Sequence, residues 1–80
     1  MKFCSCYYYS ALADLLLERA GYDHKIIRGK QYGEEHNWNS YKRPTDTQWV
    51  YMETVPYTNY GRKLGYGFTE SFMKANTYRW

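Results

Sequence analysis

The longest periodic apolar pattern lies near the start of the chain. Across SCYYYSALADLLLERAG (5–21), Tyr8, Leu12, Leu15 and Leu16 recur at i, i+4, i+7 and i+8, the stripe of a helix that turns one face to a core. Tyr9, Ala13, Leu17 and Ala20 widen that stripe, which predicts a largely buried helix. Ser5 is the predicted N-cap, placing Cys6 in the first turn, and Gly21 is the predicted C′ residue. The period then shortens to two. KIIRGK (25–30) reads as a short strand, QYGEE as a turn, and HNWNSYK (36–42) as an alternating strand that stops at Arg43-Pro44. PTDTQ (44–48) carries turn chemistry. WVYMETV (49–55), aromatic and β-branched, is the strongest strand and ends at Pro56. These last two strands, joined by a turn, predict an antiparallel hairpin. PYTNYGRKLGYG (56–67) reads as a loop, Thr69 as the cap of a short helix ESFMKA, and NTYRW as a tail whose final aromatic packs back. The expected fold is α+β: an N-terminal, cysteine-bearing helix on a small antiparallel sheet of about three strands, with a short C-terminal helix at an edge.

Length and composition narrow this further. Eighty residues make one domain, 1–80, small enough to bury only roughly 60–65% of the surface its unfolded chain exposes. Eleven Tyr, three Trp and three Phe offset that shortage, because each aromatic buries a large area, so the core is expected to be aromatic. The net charge of +3 comes from scattered residues, with no basic run longer than Lys42-Arg43 or Arg62-Lys63. That is weaker than the footprint of a nucleic-acid binder, so nucleic acid is not an expected partner. Cys4 and Cys6 sit too close together to staple a fold. The N-terminus lacks the apolar core of a signal peptide, and no stretch approaches the roughly 20 apolar residues of a membrane span. A reducing, cytoplasmic setting without membrane contact is expected.

The candidate chemistry is a thiol site. Side chains alternate along a strand, so His36, Trp38 and Ser40 share one face, as do Trp49, Tyr51, Glu53 and Val55. If both faces look toward the helix, His36 and Glu53 converge near its N-terminus and complete a Cys6–His36–Glu53 arrangement. A helix N-terminus favours the thiolate, a neighbouring imidazole takes the proton, and a carboxylate on the other ring nitrogen fixes the tautomer.

Several segments together resemble the bacterial transglutaminase-like domains of the papain-like cysteine-protease superfamily. Cys6 opens a helix with aromatic and small residues, followed by Leu15-Leu16-Leu17 and Gly21. A strand ending in Gly follows as KIIRG. His36-Asn37-Trp38-Asn39 matches a His-x-Trp-Asn strand, Trp49 to Glu53-Thr54 matches a Trp-x-x-x-Asp-Thr strand, and FTESFMKANTYRW is similar to the closing segment of many members. The resemblance covers about Cys6 to Trp80 and implies a minimal or truncated domain of that kind. It implies a cysteine-dependent amide hydrolase or acyl-transferase acting on a protein or peptide, without a cofactor or metal. Cys6 would be the nucleophile, His36 the base and then the acid, and Glu53 its orienter. The chain departs from the pattern in having Ser5 where Gly is usual, Glu53 where Asp is usual, and only five residues before the cysteine.

Other readings stand beside this one. Cys6 is also what a small buried thiol looks like. Glu34 and Glu35 compete with Glu53 for His36, and His24 reads as a solvated turn residue. Cys4, Cys6, His24 and His36 do not have the spacing of a structural zinc site. An inert protein-binding or inhibitor module on the same fold is the alternative function, with the basic aromatic loop 56–67 and exposed tyrosines as its candidate surface.

Overall fold

The computed structural model describes residues 5–55 and 64–80, with side chains from Tyr7 onward. The order is α1 (Ser5–Arg19), β1 (Asp23–Gln31), β2 (Glu34–Lys42), β3 (Val50–Glu53), β4 (Gly65–Phe68), α2 (Glu70–Ala75) and β5 (Tyr78–Arg79). The five strands form one curled antiparallel sheet in the order β4-β3-β2-β1-β5. The architecture is the expected α+β arrangement of an N-terminal helix, antiparallel sheet and short C-terminal helix. The strand count is larger than expected. Gly65–Gly67, read as the end of the loop, form with Phe68 a strand that pairs with β3, and the tail adds a two-residue strand to the free edge of β1. Short edge strands with glycine or without alternation carry no periodic signal, so only pairing reveals them.

Local chemistry explains the boundaries. Gly21 sits at φ +82° and closes α1 in a Schellman arrangement, its N–H bonded to Glu18 O at 3.0 Å and the Tyr22 N–H to Leu17 O at 3.2 Å. Tyr32 and Gly33, both at positive φ, form the two-residue turn that sets Gln31 opposite Glu34 and fixes the β1–β2 register. Thr69 caps α2 as expected, its hydroxyl oxygen accepting from the Phe72 N–H at 3.0 Å. The expected hairpin between β2 and β3 is present, with Asn39 opposite Met52 and Ser40 opposite Tyr51.

The two sheet faces are covered differently. On one, Ile27, Trp38, Tyr51, Met73 and Tyr78 form the main core, with Phe68 and Phe72 packed against it. Trp80, though 43% exposed, lies edge-on to Trp38 at 5.5 Å and so returns to the domain as the tail reading expects. The other face receives α1, which contacts β1 and β2. Asn39, odd in number where His36 and Trp38 are even, donates from its side-chain amide to Ser10 O at 2.9 Å. His24, one strand over, holds Asp14 of α1 at 2.8 Å.

Here the helix reading is corrected. Among the described side chains of α1, Ser10, Ala13 and Leu17 are the buried ones, whereas Tyr8, Leu12, Leu15 and Leu16 are exposed at 74%, 56%, 43% and 60%. Tyr9 and Ala20, also expected inside, are exposed. The helix carries two apolar stripes, and the smaller one wins the sheet. The small side chains of Ser10 and Ala13 face the sheet where Asn39 bonds the Ser10 carbonyl. No helix among the described residues is long and apolar enough to cross a membrane.

Candidate functional site

The buried polar centre of the molecule is built by β2, β3 and β5. His36 and Glu53 are 5% and 1% exposed, and His36 Nε2 lies 2.8 Å from Glu53 Oε1. Alternation on two adjacent antiparallel strands is what brings them to one face, as the sequence pattern expects. The same Oε1 accepts from the Tyr78 hydroxyl, and Oε2 accepts from the Val55 N–H at 3.1 Å. A carboxyl that draws several donors inside an aromatic wall is well satisfied despite its burial. The imidazole is held in plane by Trp38, with ring centroids 5.8 Å apart, and flanked by Tyr78 at 6.2 Å. Glu34 and Glu35, the competing orienters, are exposed at the start of β2.

Chemically, the pair fixes the imidazole by its Nε2 edge and leaves Nδ1 as the nitrogen for a second partner. That is the division of roles a general base requires. The position of the pair relative to α1 is different from the expected one. His36 differs from Asn39 by an odd number of residues in an unbroken ladder, and Asn39 is the residue that reaches α1. His36 and Glu53 therefore lie on the face away from α1, among Trp38 and Tyr78. Cys6 itself lies in the first turn of α1, one turn before Ser10. Its side chain, Cys4 and residues 56–63 of the basic aromatic loop lie outside the described residues.

Tyr78 is the member of the centre that sequence reading misses. Its signal is weak, one of two aromatics in the tail NTYRW, because a two-residue strand has no period to read. Asn39, quoted only as part of a motif, proves to be the tie between sheet and helix. The Asp14 carboxyl bonded to its Nδ1 raises the pKa of His24, which joins α1 to β1 instead of standing free in a turn. Among the described residues, no cluster of His, Cys, Asp or Glu is arranged to hold a metal ion.

Comparison of the chain with protein-family models, with curated proteins and with solved structures finds no match.

Proposed function

We propose that this protein acts by binding another protein surface through the outward face of α1, and not by thiol chemistry. The observation that carries this reading is that face. Tyr8, Leu12, Leu15 and Leu16 are contiguous on one side of the helix and project away from the sheet. Soluble monomers rarely leave a large contiguous apolar patch uncovered, and such patches mark interaction sites. The buried centre fits a structural role in the same reading. His36, Glu53 and Tyr78 bind three strands to one another beneath Trp38, on the face away from the cysteine-bearing helix.

The thiol-enzyme reading is favoured by one observation, the His36–Glu53 pair with Nδ1 left for a partner. The two readings differ in the reactivity of Cys6. In a Cys4→Ser variant, a thiolate-selective alkylating agent labels Cys6 slowly, with the pH dependence of an ordinary thiol near 8.5, if the protein is a binding module. Rapid labelling that persists to pH 6 and slows on His36→Ala replaces the binding reading with the enzyme.

A further inference from the structure

We infer that the first partner of the α1 face is a second copy of this chain, docked helix against helix in antiparallel order about a two-fold axis. The inference rests on the binding reading above and names its occupant. The outward stripe is Tyr8, Leu12, Leu15 and Arg19, spaced by four, three and four residues, with Leu16 and Tyr9 along one flank and Ala11 along the other. The spacing reads the same in both directions, so the stripe is its own complement when reversed. With the axis midway between Leu12 and Leu15, Leu12 meets Leu15 of the second copy. Tyr8 meets Arg19 of the second copy, and Leu16 meets Tyr9 of the second copy.

The charges agree with that register. Arg19 is the one charged residue in the stripe, exposed at the last turn of α1. In the paired arrangement its guanidinium lies over the ring of Tyr8, the most exposed of the helix's tyrosines, in a cation–π contact. Two-fold symmetry puts the two Arg19 side chains at opposite ends of the helix pair. Eleven residues at 1.5 Å each set them about 16 Å apart, beyond the screening length of about 10 Å at 0.1 M salt. Asp14 is engaged by His24 on the sheet side, and Glu18, exposed on the flank of Ala11, is the acidic residue at the rim of the seam. A parallel arrangement would bring both Arg19 together and lose both aromatic contacts.

The area is sufficient for a reversible dimer. From their fractional exposures, Tyr8, Tyr9, Leu12, Leu15 and Leu16 offer roughly 500 Å² per copy, so the pair can bury at most about 1,000 Å², the lower bound for a specific interface. An interface at that bound is expected to associate reversibly, so monomer and dimer should both be observable in a concentration series.

Sedimentation equilibrium under reducing conditions, from about 5 µM to about 500 µM, is the test. The expected result is a rise from the monomer mass of 9.7 kDa toward twice that value, abolished by Leu12→Lys and weakened about tenfold by Arg19→Glu. Far-ultraviolet circular dichroism should be unchanged in both variants, since neither side chain contributes to the core. The register has its own test. In a background of Cys4→Ser and Cys6→Ser, mixed Leu12→Cys and Leu15→Cys chains should be joined by a short thiol crosslinker more efficiently than either chain alone. A single monomer mass across the whole range overturns the inference, as does crosslinking that favours Leu12→Cys with itself. Either failure leaves the alkylation result, and with it the choice between binding module and enzyme, unaffected.

Discussion

Glu53→Ala is the most revealing single perturbation of this fold. Glu53 is 1% exposed, and its two carboxyl oxygens serve His36 from β2, Tyr78 from β5 and the Val55 backbone just beyond β3. Truncation leaves an imidazole edge, a phenol and an amide N–H without their acceptor in a site walled by Trp38. Each of the three orphaned buried groups costs about 1–3 kcal/mol, less what relaxation recovers, which sets the loss at about 4 kcal/mol. A domain of this length has roughly 4–12 kcal/mol in total. The variant should therefore melt about 15–30 °C lower, or fail to fold at all, in a scan followed by circular dichroism and tryptophan fluorescence. Glu53→Gln keeps the shape and one acceptor, and Tyr78→Phe removes only one donor, so each should lose about 1–2 kcal/mol. A Glu53→Ala protein that melts within a few degrees of the parent would refute the assignment of Glu53 as the anchor of three strands.

Two further outcomes follow from the geometry. Gly29→Ala should lose about 2–3 kcal/mol in urea denaturation, because a Cβ there would stand 2.3 Å from Arg79 O and 2.7 Å from the Trp38 ring, forcing β5 away from β1. The His24–Asp14 contact should make stability fall as pH rises: a histidine whose folded pKa is raised above 6.5 gives its full contribution below that value and loses it as pH climbs through the folded pKa. Melting temperatures of the parent and of Asp14→Asn should therefore differ more at pH 6 than at pH 8.

Much of the fold is legible in the residues, and the failures share a cause. The helix ends at Gly21, the turn at Tyr32-Gly33 and the Thr69 cap are set by local chemistry, which sequence records directly. The meeting of His36 with Glu53 follows from strand alternation and is also readable. Face and side are not. α1 has leucines around much of its circumference, so periodicity alone cannot say which stripe a sheet will take. The decision depends on close approach, and the small residues Ser10 and Ala13 allow it where Tyr8 and Leu12 do not. The same ambiguity governs the site. Which face of β2 looks toward the helix is a tertiary fact fixed by Asn39, and a change of one residue in parity separates His36 from α1.

The choice of stripe also bears on function. Fully burying a leucine side chain is worth about 1.5–3 kcal/mol, so leaving Tyr8, Leu12, Leu15 and Leu16 partly exposed forgoes a sizeable part of the stability of a domain this small. The aromatic core on the other face makes that tolerable. Ile27, Trp38, Tyr51, Met73 and Tyr78 close around the Glu53 anchor without help from α1. Stability and surface are thereby divided between the two faces of one sheet, and substitutions on the outward stripe can change association while leaving the core as it is. In such a division a second copy recovers on assembly part of what folding alone leaves exposed, and the reversible spacing of Tyr8, Leu12, Leu15 and Arg19 fits that recovery.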